Sequence, residues 1–130
     1  MGLNERRKIA EMQSTTFPER VKEIEEICGT AIAYDVDWDS MKDDAAALNF
    51  VDNVTCHRLN MALRVICSDA MGKDAVRDGL KSVKLKNVKT KDEKKITFSG
   101  GTLEMHCAWA LGLEGAYSDG EIRQVLEQSL

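Results

Sequence analysis

The sequence predicts an α+β fold: an antiparallel sheet of three to four strands with helices packed mainly on one face. Three observations lead there. Apolar residues recur at helical spacing through most of the first eighty positions. The spacing then changes to alternation in three short runs between residues 82 and 109. Those runs follow one another through short turns, the order of a meander rather than of alternating strands and helices. At 130 residues the chain reads as a single α+β domain, 1–130, long enough to bury one core. Its first fifteen residues carry a weak apolar pattern and read as a loosely packed N-terminal helix.

In chain order, "TFPERVKEIEEICG" is the clearest helix. Thr16 and Glu19 have the spacing of a capping box, with Pro18 in the first turn. Phe17, Val21, Ile24 and Cys28 share one face, and Gly29 suits a left-handed helix end. In "TAIAYDVDW" the residues Ile32, Tyr34, Val36 and Trp38 alternate with small and acidic ones, the period of a half-buried strand. Ser40 is placed to cap a following helix, with Asp43 at its third position. Helical propensity then continues to Gly72, which reads as its end, with a break expected at Asp52–Asn53. A short helix, "KDAVRDGL", follows.

"SVKLKNV", "KITF" and "TLEMHCAW" are the three strands, linked by the charged "TKDEK" and by "SGG". Val88 falls out of phase with Val83 and Leu85, so a bulge is expected near Asn87. Leu103, Met105, Cys107 and Trp109 share one face of the last strand, and Glu104 and His106 share the other. Residues 110–117 read as a loop. Ser118 and Glu121 form a capping box for the closing helix.

Charge and composition narrow the functional classes. No apolar run backs the charged N-terminus and none is near the roughly 20 residues a membrane span needs. Arg6 stands where a myristoylation start wants Ser or Thr. A cytoplasmic location and no membrane partner are expected. The net charge is −4, unevenly spread. Asp35, Asp37, Asp39, Asp43, Asp44 and Asp52 face only Lys42 in their stretch, whereas Lys81 to Lys95 is rich in lysine. An acidic edge and a basic edge are expected.

Four candidates for chemistry follow. The aspartates of "YDVDWDSMKDD" resemble a calcium loop, but counting from Asp35 the sixth position is Ser40 and the twelfth Ala46, where Gly and Glu are required. In a strand Asp35 and Asp37 also stand about 6.6 Å apart and do not converge. Turn and cap chemistry explains these residues, and no metal or other cofactor is expected. The second candidate is a thiol enzyme. Cys56–His57 and His106–Cys107 place each histidine beside a cysteine, and Cys56 with His106, or Cys107 with His57, would suit a small Cys/His hydrolase. Neighbours within one pair cannot form a dyad, because they diverge on a strand and on a helix alike. The four cysteines show no CxxC spacing and read as free thiols.

Third, Lys84, Lys86, Lys89 and Lys91 form a basic patch able to track phosphates weakly. It lacks an aromatic for base stacking, so nucleic acid is not expected as the main partner. Phosphate-binding glycine loops are absent. The fourth candidate is the acidic stretch itself. Asp35, Asp37, Trp38, Asp39, Asp43 and Asp44 combine an aromatic with charge, the composition of a protein contact. The reading that emerges is a non-enzymatic cytosolic interaction domain of the inhibitor or immunity type, binding a protein with a basic surface. The sequence is compatible with monomer or homodimer.

Overall fold

A computed structural model describes residues 2–130. Helix α1 (Leu3–Glu11) runs through a π-helical turn, Met12–Thr16, into α2 (Phe17–Cys28) without a break. The expected capping box is therefore absent. Thr16 has helical backbone angles and makes no side-chain cap bond. Its amide needs no cap because the helix continues on its N-terminal side. Helix α1 buries none of its own side chains, and the first anchor in the core is Met12. On α2, Phe17, Ile24 and Cys28 are buried as their spacing requires, and Gly29 ends the helix at φ 73°.

Strand β1 (Ala33–Asp37) leads into a 3₁₀ turn, Trp38–Met41, and then α3 (Ala45–Phe50). The capping differs from the expectation. Asp37 accepts a hydrogen bond from the Ser40 amide, and Asp44 caps α3 by accepting from the Ala47 amide at 3.0 Å. Asp is as good an N-cap as Ser, and the extra turn shifts the helix start by several residues. The helix then continues beyond Asp52–Asn53 through a second π-helical turn, Val51–Cys56, into α4 (His57–Ile66). Gly72 ends nothing. Asp69 caps α5 (Ala70–Gly79), and Gly72 lies in its first turn, donating to the Asp69 carboxylate at 2.7 Å.

Strands β2 (Ser82–Asn87), β3 (Lys95–Ser99) and β4 (Thr102–Cys107) follow, with 3₁₀ turns at Lys91–Glu93 and Trp109–Gly115 and the closing helix α6 (Asp119–Ser129). Gly100 and Gly101 join β3 to β4 at φ 57° and 82°, the two positive values that a tight two-residue hairpin demands. The Ser118–Glu121 capping box forms as expected.

The sheet order is β1-β2-β4-β3. The fold is α+β, but the sheet is mixed. β1 pairs parallel with β2, β2 pairs parallel with β4, and only β3–β4 is antiparallel. The chain leaves β2, runs to the far edge as β3, and returns through the hairpin to insert β4 next to β2. A helical crossover between β1 and β2 makes their parallel pairing possible. The six β2–β4 pairs, from Ser82↔Thr102 to Asn87↔Cys107, are in unbroken register. No bulge is present: Asn87 keeps the buried phase, and Val88 lies past the strand end with its amide on the Cys107 carbonyl.

The core lies between one sheet face and the helices. Val83, Leu85, Leu103, Met105 and Cys107 point into it, against Leu59, Leu63, Ile122, Leu126 and the buried Trp109. Trp109 donates its indole N–H to Thr55 Oγ1 at 2.7 Å, which satisfies its polar atom. No helix among the described residues is long and apolar enough to cross a membrane.

Candidate functional site

The second sheet face carries no core. Three rows cross it: Ala33–Ser82–Thr102–Ser99, Asp35–Lys84–Glu104–Thr97 and Asp37–Lys86–His106–Lys95. None of these residues is buried. The face is organised in columns of charge: acidic on edge strand β1, basic on β2, Glu104 and His106 on β4, and Lys95 on β3. The expected acidic and basic edges are thus adjacent columns of one surface. This placement follows from the parallel β1–β2 register, which sets Asp35 opposite Lys84 and Asp37 opposite Lys86.

At the centre, His106 Nε2 and Glu104 Oε2 are 2.5 Å apart. Their positions two apart on one strand put them on the same face. The hydrogen bond from His106 holds the Glu104 carboxyl below its usual range, the charges of Lys95 and Lys84 assist, and partial burial opposes. The ring belongs to this pair rather than to a thiol.

Neither Cys–His candidate is assembled as a nucleophile. Cys107 points into the core while His106 points out, as alternation on β4 requires. Burial pushes the Cys107 thiol up to about 12. Cys56 is fully buried, and burial followed by the nearby Asp52 charge pushes its thiol far above the ordinary range. His57 is exposed at the start of α4, outside that environment. A thiol that stays protonated is a poor nucleophile.

The acidic candidates divide by role. Asp35 is exposed on the uncovered face, and Asp37 stands beside it while capping the 3₁₀ turn. Asp39 and Asp43 are exposed at the carboxyl end of β1. Asp44 is half-buried as the α3 cap. With Ser40, Asn87 and Lys89 these last three residues line a crevice of about 300 Å³ at the carboxyl ends of β1 and β2. Asn87 locks the crevice floor: its amide donates to Ser40 Oγ at 2.9 Å and its Nδ2 to the Ser40 carbonyl at 3.1 Å. No three His, Cys, Asp or Glu among the described residues are grouped to hold a metal ion. Trp38 is half-buried, with its ring edge-on to Phe17 at 5.3 Å, so it belongs to the packing beneath the strand.

Lys84 and Lys86 project from the uncovered face, and Lys89 reaches the crevice. Lys91 pairs with Glu114 at 3.0 Å. The neighbouring Lys94 donates to the Ala116 carbonyl and sits 4.5 Å above the Tyr117 ring. Part of the lysine-rich connection between β2 and β3 is therefore engaged with the 3₁₀ segment that follows β4.

A polar cluster that the sequence analysis did not assemble lies beneath β1. Arg20 and Glu23 from α2 meet Asp52 and Asn60 from the second π-helical turn and α4. Asn60 Oδ1 is buried there without a hydrogen-bond partner, and the buried Tyr34 hydroxyl lies against the Cys56 thiol. The spacing of Asp52, Cys56 and Asn60, four apart, was the available signal, since it puts all three on one helical face. Comparisons with protein-family models, curated proteins and solved structures return no match for this chain.

Proposed function

We propose that this chain is a non-enzymatic protein–protein interaction domain, of the inhibitor or immunity type, that docks a partner with a basic surface along β1. The observation that carries this reading is the uncovered sheet face. Sheets built on parallel pairs ordinarily have both faces covered by helices, and here one face is left to polar and charged side chains. Its acidic column, Asp35 and Asp37, stands on an edge strand and continues into Asp39 and Asp43 at that strand's carboxyl end. Charge columns of opposite sign side by side steer a partner and fix its register more than they add affinity. The buried, protonated thiols weigh against a cysteine hydrolase. The lysine column is flanked by Asp35, Asp37 and Glu104 and carries no aromatic, which weighs against a nucleic-acid surface.

The test is affinity capture from the native host with the wild-type chain, the double variant Asp35→Lys/Asp39→Lys, and a control reversing Glu25 and Glu26 on α2. A basic protein held by wild type and control, released by salt and lost with the double variant supports the reading. Equal capture by all three, or capture of an acidic protein or of nucleic acid, overturns it.

A further inference from the structure

Beyond the docking face, the helical side of the molecule holds a second arrangement with its own chemistry. Cys28 is the last residue of α2, and Cys67 is the residue that follows α4. They are 39 residues apart in sequence, yet Cys67 Sγ donates to Cys28 Sγ across only 3.1 Å. Both side chains are buried, at 3% and 4% exposure. The other two cysteines are placed differently: Cys56 lies by Tyr34 and Asp52, and Cys107 by Thr55 and Tyr117.

We infer that Cys28 and Cys67 form a redox-responsive pair, a dithiol that closes to a disulfide in the folded protein when a peroxide is supplied. The geometry needs little change. A disulfide sulfur–sulfur bond is about 2.05 Å, so the two atoms must approach by about 1 Å. Both residues are at helix ends, where a small adjustment disturbs few backbone hydrogen bonds. Cys28 immediately precedes Gly29, the left-handed end of α2, and Cys67 lies in the turn between α4 and α5, so neither sulfur is carried by the middle of a helix.

The chemistry balances with hydrogen peroxide as the oxidant. One thiolate attacks a peroxide oxygen, the O–O bond breaks, and hydroxide leaves and is protonated to water. The resulting sulfenic acid is attacked by the second sulfur, which forms the S–S bond and releases a second water. Two thiols are oxidised by one electron each and the peroxide is reduced by two. Burial sets the pace. It holds Cys28 in the thiol form, with the Lys73 charge a lesser opposing influence, so the first step proceeds through transient opening of a helix end and is slow beside a free thiol. The bond would link α2 to α4 and close a long loop, which restricts the unfolded chain and favours the folded one.

The test treats the folded wild-type chain with hydrogen peroxide, blocks remaining thiols, and maps peptides without reduction. The expected result is a Cys28–Cys67 cross-linked peptide, with Cys56 and Cys107 still free, and a melting temperature higher by roughly 5–10 °C that reverts with reductant. Cys67→Ala, compared with and without peroxide, should show no such rise. The mapping needs only wild type, so a variant that folds poorly does not blunt it. Four free thiols after oxidation, a cross-link involving Cys56 or Cys107, or a cross-linked form no more stable than the reduced one would each overturn the inference.

Discussion

Arg20 on α2 grips Asp52, 32 residues further along, through two parallel hydrogen bonds: Nε to Oδ1 at 2.7 Å and Nη2 to Oδ2 at 3.2 Å. Glu23 flanks the guanidinium at 3.4 Å and accepts from Asn60 Nδ2 at 3.0 Å. The bond to Asp52 raises the Arg20 pKa further above its already high value, against the effect of burial. Both side chains are 17% exposed, so removing one partner strands a largely dry charge. Asp52→Ala should cost about 3 kcal/mol, read from urea unfolding. Arg20→Lys should recover little, because an ammonium cannot reproduce the fork. A lysine variant as stable as wild type would show that charge alone is needed.

One substitution should act with opposite signs at two helix positions. A Cβ on Gly72 would lie 1.6 Å from the Ile66 carbonyl oxygen, where α5 folds back on the end of α4. Gly72→Ala should therefore destabilise by about 1–3 kcal/mol, as overpacking does. At Gly120, in the first turn of α6, the nearest atom is Ser118 Oγ at 3.9 Å. Gly120→Ala should stabilise by about 0.5–1 kcal/mol through helix propensity and a stiffer unfolded chain. Thermal melts of the two variants decide this, and equal signs would contradict the packing at Gly72.

The thiols give a direct readout of the core. Cys67 and Cys107 lie at 4% and 0% exposure, so both should alkylate far more slowly in the native state than after unfolding in urea. Raising the pH to 9 should leave Cys107 slow, because its pKa is pushed up to about 12. Reaction of either thiol at the rate of a small-molecule thiol would contradict its placement.

Glu104 makes a pH prediction with a definite sign. Its carboxyl is depressed in the folded protein, chiefly by the bond from His106. Such a group adds stability above its unfolded value, about 4.3, and loses it as pH falls through the lower folded value. Lys84 on β2, Thr97 on β3, and His106 and Lys95 in the next row surround it. Wild type should exceed Glu104→Gln by at most about 1 kcal/mol at pH 7, since the pair is at the surface, and the gap should close below pH 4. A gap that stays open in acid strong enough to protonate the Glu104 carboxyl would contradict the pairing.

Local patterns in the sequence were legible where one residue's phase decides its side. The alternation in β2 and β4 placed Leu103 and Met105 inside and Glu104 and His106 outside. Gly29 and the Ser118–Glu121 pair marked helix ends for reasons of backbone conformation and capping. The Thr16–Glu19 pair misled because the same two residue types occur inside a helix that never stops. Strand order was not legible, because a period of two says which face a side chain takes and nothing about which strand lies alongside. Hence the insertion of β4 beside β2 turned an expected meander into a mixed sheet. The Arg20–Asp52 grip was legible only in part, since the spacing of Asp52, Cys56 and Asn60 marks one helical face but nothing local joins it to Arg20 on α2.

The docking face is tested most directly by association kinetics. Asp37 and Asp44 serve as caps, so the informative pair is Asp35 and Asp39, both exposed and both outside the caps. With a captured basic partner in hand, the association rate of wild type and of Asp35→Asn/Asp39→Asn should be measured from low to physiological salt. The wild-type rate should fall steeply with salt, the variant should be slower at low salt with a flatter dependence, and the dissociation rates should differ little. Superimposable salt dependences for the two proteins, with equal association rates at low salt, would contradict it.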